Sequence, residues 1–385
     1  MKALALLKSE SISLGLAMFA MFFGAGNIIY PLVIGQHAGD KNLFAISGLV
    51  LTAAVMPMLG LIAMILFDGD YRRFFGRLGS IPGFLLALLT ISLLGPLGST
   101  PRCIALAYTT LRTTFLDVSP TLFSAIACCI IFLFTVKQKY VLSLLAWVLT
   151  PLLLGSLIII IFLGLISGSE TQAVQATNLD MFLHGIREGY NTMDLLAAFF
   201  FSSTIIKTLK MRHQETGQNY VRTAFQASLI GATLLAAIYI GFSYIAAFHG
   251  TQLSMYTSDE LLSAITIKLA GPYAGMLVCI AISLACLTTA IALISAFTDF
   301  VQKEVFDNKI SYAVTLIGAL SVTFFVSTFE FTGIAAFLWP VLQICYPGLI
   351  VLTFLNIIHK TMGFKPLKVP VALAFSGAII AYFIS

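Results

Sequence analysis

The sequence predicts an all-α polytopic membrane protein of about eleven transmembrane helices, two oppositely oriented sets of five with one more behind them. Three observations carry this. The 385 residues are 59% hydrophobic and only 10% charged, with a mean hydropathy of +1.00, whereas soluble domains are roughly 45–50% apolar and about 25% charged. Hydropathy separates eleven apolar segments, against the roughly 20 apolar residues a spanning helix needs. The first and sixth are interrupted at mid-depth by glycine and polar residues, which lipid tolerates only where protein, water or a ligand completes the backbone hydrogen bonding.

In chain order the segments lie at about 11–35, 42–67, 81–109, 119–136 and 141–166, then 188–208, 222–247, 271–301, 311–328 and 333–357, and last 368–384. Lys2 and Lys8 ahead of the first resemble a signal peptide, but the apolar run continues to Gly35 with no Ala-x-Ala cleavage site, so a retained helix is expected. The third is distorted by two prolines and two glycines in Gly95-Pro96-Leu97-Gly98-Ser99-Thr100-Pro101. Polar connections at 167–187 and 248–270 are the longest, and Ser258 is placed to cap a short surface helix running to Lys268. A twelfth span stays open as an alternative.

Sixteen Lys and Arg fall in one set of alternate connections, among them Arg72, Arg73, Lys137, Lys139, Lys210 and Lys303, against Lys41, Arg112, Arg187 and Lys268 in the other. The positive-inside rule then puts the N-terminus in the cytoplasm, and an odd number of spans puts the C-terminus outside. The same scatter of basic residues along the chain, net charge +5, reads as loop charge and not as a nucleic-acid footprint. All six cysteines lie in apolar stretches without metal-ligand spacing.

The first interruption reads Gly24-Ala25-Gly26-Asn27 and the sixth Gly189-Tyr190-Asn191-Thr192-Met193-Asp194. Each opens a set of five spans, 11–166 and 188–357. Because five is odd, the second set starts on the opposite face, and an inverted repeat follows from the count. Paired breaks of this kind point to a transporter site near the midplane; close helix packing at small residues is the competing explanation.

Arg102 and Asp194 are the deepest charges. They either pair with each other or line an ion path, and Arg102 alone could snorkel to the interface. In the eighth span Ala285, Thr288 and Thr289, at i, i+3 and i+4, put a carbonyl and two hydroxyls on one face. Such oxygens suit a monovalent cation, although membrane threonines more often bond their own helix.

With these residues in place, the chain resembles the bacterial branched-chain amino-acid carriers, the BrnQ-type cation symporters for leucine, isoleucine and valine. The resemblance spans nearly the whole chain. It is carried in order by FFGAGNIIYP (Phe22 to Pro31) with GQHAG, GPLGSTPR (Gly95 to Arg102), GYNTMD (Gly189 to Asp194), ACLTTAIALI (Ala285 to Ile294) and YPGLIVL (Tyr346 to Leu352).

The resemblance implies a LeuT-like 5+5 inverted-repeat transporter of the amino-acid/polyamine/organocation superfamily, with helices 1 and 6 discontinuous, in the bacterial inner membrane. It implies no enzymatic reaction and no cofactor. Ala25 and Gly26 N–H groups, flanked by Gly24, would take the substrate carboxylate, and carbonyls around Tyr190, Asn191 and Thr192 its ammonium. Na⁺ would lie between the Ala20 and Phe23 carbonyls and Ala285, Thr288 and Thr289. Asn27 and Thr192 would serve a second ion or the substrate. A carrier that moves another small neutral amino acid with H⁺ on Asp194 is the alternative. Two departures bear on substrate range: Cys103 stands where the family has Thr, and Phe199, Phe200 and Phe201 replace small residues.

The rival classes lack their signatures. A channel needs a continuous polar stripe or a carbonyl filter. An enzyme needs an HExxH, a GxSxG or a clustered set of intramembrane acids and histidines, and none occurs.

Overall fold

The computed structural model describes residues 10–112, 118–136, 141–168, 170–216 and 220–384; the expectations resting on Lys2, Lys8, Lys137 and Lys139 lie outside them. Described residues in regular structure are helical throughout. In order they form α1 (Glu10–Phe22), α2 (Ala25–Ala38), α3 (Asn42–Val50), α4 (Met56–Leu66), α5 (Tyr71–Gly76), α6 (Ser80–Leu94), α7 (Ser99–Arg112), α8 (Pro120–Val136) and α9 (Val141–Ile166). Then come α10 (Asn178–Tyr190), α11 (Asp194–Thr216), α12 (Tyr220–Phe248), α13 (Gly250–Leu253), α14 (Leu261–Phe300), α15 (Tyr312–Ser327), α16 (Glu330–Met362) and α17 (Lys368–Ile384).

Among the described residues, five helical stretches are long and apolar enough to cross a membrane: Ala25–Leu66, Ser80–Arg112, Tyr220–Phe248, Leu261–Val305 and Glu330–Met362. Six shorter apolar helices accompany them. Large apolar side chains also cover the outside of the bundle, for example Ile81, Phe162 and Phe383, as lipid-facing positions should.

Interruptions divide what hydropathy reads as single segments. The first segment is two helices, α1 and α2, parted at Phe23 and Gly24, where Gly24 is extended (φ −120°, ψ −167°). The third is fully broken at 95–98 into α6 and α7. One-turn π-helical bulges occur at Leu51–Val55, joining α3 to α4, and at Val301–Val305, below α14.

Two expectations about the polar connections need correction. Residues 178–187 are the first part of α10, not a loop, so the sixth segment begins earlier than 188; Thr177 Oγ1 accepts from Asp180 N–H at 3.1 Å, and Asp180 Oδ2 accepts from Thr177 N–H at 3.1 Å. Hydropathy hides this half because it carries Asn178, Asp180, His184, Arg187 and Glu188. Likewise, the helix after 257 starts at Leu261 with Glu260, not Ser258, at its N-cap. It is no surface helix, since Leu261, Leu262, Ile265 and Thr266 are buried. Gly271, at φ 78°, bends α14 in a region of backbone space that favours glycine.

Packing brings distant segments together. α12 lies along both α1 and α2, α7 along α14, α10 along α3, and α17 along α16. The crossing of α10 and α3 depends on glycine from both sides: a Cβ on Gly185 would strike the Ala45 carbonyl and one on Gly48 the Phe182 carbonyl. Close packing at small residues therefore does operate here, most tightly at these glycines and less so at Gly24 and Gly26. The result is that α2, α7, α11, α12 and α14 converge around the two breaks.

Candidate functional site

The two breaks touch. Gly26 is the second residue of α2, and a Cβ there would come within 3.0 Å of Thr192 Cα and 3.1 Å of the Asn191 carbonyl oxygen. A side chain there would have to push the Thr192 backbone back by a few tenths of an ångström, so glycine eases the approach. Thr192 belongs to the turn between α10 and α11, followed by Met193 at φ 63°, an uncommon conformation for a residue with a Cβ.

Asn27 organises the first break. Its Oδ1 accepts from Gly24 N–H at 2.9 Å, the one half of a capping box available here, since Gly24 has no side chain to accept in return. Its Nδ2 donates to Asp194 Oδ2 at 2.6 Å and to the Tyr239 hydroxyl. Tyr239 in turn donates to the same Asp194 oxygen at 2.9 Å. All three side chains are buried. Asp194 thus faces neutral donors, Asn27 and Tyr239 foremost, and no cation within ion-pair distance among the described residues. A buried carboxylate in that position calls either for a cation beside it or for a proton that neutralises it.

Arg102 and Asp194 do not pair, which corrects that alternative. Arg102 is 1% exposed, so it does not snorkel either. Its Nη1 donates to the Asn191 carbonyl at 2.8 Å, and its guanidinium lies 5.6 Å from the ring centres of both Tyr30 and Phe331. Asn191 Nδ2 donates to Glu188 Oε2 at 3.0 Å, so Glu188 is linked to Arg102 through Asn191 and not directly. Tyr190 stacks on Tyr346 at 4.6 Å.

The oxygen face of α14 meets the first break. Thr289 Oγ1 donates to the Phe23 carbonyl at 3.1 Å, while Thr288 Oγ1 donates to the Ala285 carbonyl of its own helix at 2.8 Å. Phe23, Ala285 and Thr289 are buried; Ala20 and Thr288 are partly so.

Between the breaks is a hollow of about 20 Å³, lined by Gly24, Gly26, Arg102, Thr192, Asp194 and Thr289 together with apolar Phe201 and Leu293. That is room for about one water. An aliphatic amino acid enters only if the helices around it separate.

Of the residues singled out in the sequence, Gly24, Ala25, Gly26, Asn27, Arg102, Thr192, Asp194 and Thr289 line this one hollow. Tyr190, Asn191, Phe23, Ala285, Thr288 and Ala20 do not line it. Tyr239 and Glu188 went unnoticed. Glu188 lies within three residues of Asn191 and was legible as an acid beside a break, whereas Tyr239 reaches Asn27 from a separate helix and leaves no local mark.

The family described as branched-chain amino acid transport protein matches residues 7–383. The branched-chain amino acid permease BrnQ of Bacillus subtilis is 30% identical over 371 residues, covering 93% of this chain and 83% of the relative. The permease BraB of the same organism is 28% identical, covering 91% and 80%. Among solved structures, a substrate-bound outward-open Na⁺-coupled sialic acid symporter superposes with TM-score 0.64 at 12% identity, covering 96% of this chain and 88% of its own. An inward-facing Mhp1 gives 0.63 at 15% identity, covering 91% and 77%. At such identities the likeness is one of fold, and the fold is the LeuT-like arrangement of these transporters.

Proposed function

The chain belongs to the branched-chain amino acid transport protein family, a family of multi-pass membrane transporters and not of enzymes, and from that premise we propose that it takes up leucine, isoleucine and valine together with Na⁺ by alternating access. The observation that carries the reading is the contact of Gly26 with Thr192, which brings two helix interruptions together at one buried hollow.

In this reading spans one to five and six to ten form inverted repeats, with the N-terminus in the cytoplasm. The N–H groups of Ala25 and Gly26, at the positive end of α2, bind the cargo's carboxylate. Carbonyls at Tyr190, Asn191 and Thr192 accept from its ammonium. The aliphatic side chain lies against Phe201 and Leu293, where one methylene is worth only about 1–3 kcal/mol, so the three branched cargoes are poorly distinguished.

Na⁺ occupies the oxygens of Ala20, Phe23, Ala285, Thr288 and Thr289. Because Thr289 already bonds the Phe23 carbonyl, an ion there ties α14 to the first break. Ion binding favours the outward-open arrangement and raises cargo affinity by coupling, typically about 1–3 kcal/mol. Rocking of the helices around the hollow then releases both solutes inside.

A second reading rests on a specific observation: Asp194 is buried with Asn27 and Tyr239 as its donors and no cationic partner. A proton on Asp194 would neutralise it and couple transport to H⁺. Uptake of labelled leucine into proteoliposomes, with Na⁺ and pH gradients imposed separately, decides between them. Leucine accumulation under the Na⁺ gradient alone is the expected result; accumulation under the pH gradient alone gives the coupling to Asp194, and none under either removes the carrier reading.

A further inference from the structure

Arg102 is the largest of the fully buried side chains, and its donors are only partly used. Nη1 is committed to the Asn191 carbonyl, while Nε and Nη2 have no hydrogen-bond partner. Those two N–H groups form one edge of the guanidinium, the side-on fork whose spacing matches the two oxygens of a carboxylate. Buried polar groups are rarely left unpaired, and each such group calls for an explanation. A charged fork left empty inside a protein is more costly than a neutral one.

The fork is also held in place. Tyr30 and Phe331 present their rings to the guanidinium at 5.6 Å each, and the Asn191 carbonyl fixes its third nitrogen. No acid lies within ion-pair distance among the described residues; Glu188 is engaged by Asn191 Nδ2, and Asp194 by Asn27 and Tyr239. Arg102 therefore carries a rigid, desolvated positive charge with no acid in direct contact among the described residues.

Its position links two spaces. Arg102 lines the hollow between the breaks together with Gly26 and Thr192. Three of its contacts, Tyr30, Asn191 and Phe331, also line a separate cavity of about 260 Å³ with Glu188 and Trp339. The residues that hold the guanidinium are thus part of the wall of the larger cavity, while the guanidinium itself lines the hollow.

We infer that Arg102 is the receptor for the carboxylate of the cargo, engaging it through the Nε–Nη2 fork in addition to the backbone donors at the start of α2. This rests on the amino-acid carrier reading and deepens it: a carboxylate becomes a required part of the cargo, not a tolerated one. Asp194, across the same hollow, supplies the opposite sign, and the pair of unmatched charges is complementary to a zwitterion.

The test compares leucine with leucinamide, which keeps the ammonium and the aliphatic chain but has no carboxylate. Binding of each is measured on the purified full chain in detergent at fixed Na⁺, by displacement of labelled leucine and by thermal stabilisation. Wild type is expected to prefer leucine strongly. Arg102→Gln is expected to weaken leucine about tenfold or more while leaving leucinamide unchanged. Arg102→Lys, which retains charge but not the fork, is expected to weaken leucine alone to a smaller extent.

Equal weakening of both ligands in Arg102→Gln makes Arg102 a strut and overturns the assignment. So does a folded Arg102→Gln with the wild-type preference. Should Arg102→Gln fail to elute as a folded species, Arg102→Lys decides, and wild-type affinity for both ligands there overturns the assignment too. Failure of wild type to bind leucine at all sinks the carrier reading instead, so the two failures are distinct.

Discussion

Gly26 and Thr192 are held in backbone contact, 3.0 Å from a would-be Cβ to a Cα, although each lies in a different helix interruption. The contact joins the two breaks into a single site. A side chain at Gly26 would therefore press directly on the second break.

Gly26→Ala is expected to push Thr192 or the start of α2 aside, at a cost of about 1–3 kcal/mol, as for other overpacked cores. Labelled-leucine uptake should fall about tenfold with the protein still inserted and monodisperse. Uptake at the wild-type rate in Gly26→Ala would show that the breaks do not need this approach.

Thr289→Val removes the hydroxyl that donates to the Phe23 carbonyl while keeping the shape of the side chain. The Na⁺ concentration for half-maximal uptake is expected to rise about tenfold, with the rate at saturating Na⁺ largely kept. An unchanged Na⁺ dependence would take the ion away from α14.

Tyr239→Phe leaves Asp194 with Asn27 as its remaining side-chain donor from a neighbouring helix. Losing a bond to a buried carboxylate costs about 1–3 kcal/mol, read as reduced thermal stability of the detergent-solubilised protein. In Asp194→Asn that sensitivity to Tyr239→Phe should shrink, and a double-mutant cycle measures the difference. Additive effects would mean the two groups do not act on each other.

Acid should loosen one contact at the end of α4. Lys210 and Tyr220 donate to Asp68 Oδ1 at 2.7 and 2.9 Å, and these donors, Lys210 foremost, hold the Asp68 carboxyl below its ordinary range. A depressed carboxyl contributes stability that is complete above its ordinary value and disappears as pH falls through the lowered one. Asp68 is solvent-exposed, so the effect is at most about 1 kcal/mol. Asp68→Asn is expected to flatten the acid limb of a melting-temperature profile; a limb as steep as wild type would assign the acid sensitivity elsewhere.

How much of this was legible in the sequence follows from what hydropathy and spacing can encode. The breaks at Gly24 and Asn191 were legible because polar residues inside apolar runs are visible locally. The first part of α10 was not, because Asn178, Asp180 and Arg187 make a protein-packed half-helix look like a loop. The start of α14 was masked in a similar way by the bend at Gly271. Charge partners are the least readable: Asp194 and Arg102 look like natural counterparts, yet Asp194 accepts from Asn27 and Tyr239, Arg102 donates from Nη1 to the Asn191 carbonyl with Nε and Nη2 left over, and Tyr239 becomes visible only through the packing of α12 along α2.

The narrowness of the hollow has an outcome for the membrane that contains it. A space of about 20 Å³ cannot admit an ion with its hydration shell. In the Na⁺-coupled reading this closure would keep the driving gradient from leaking between turnovers, and a mutation that merely widens the space would be felt first as a standing current and only later as a change in leucine uptake.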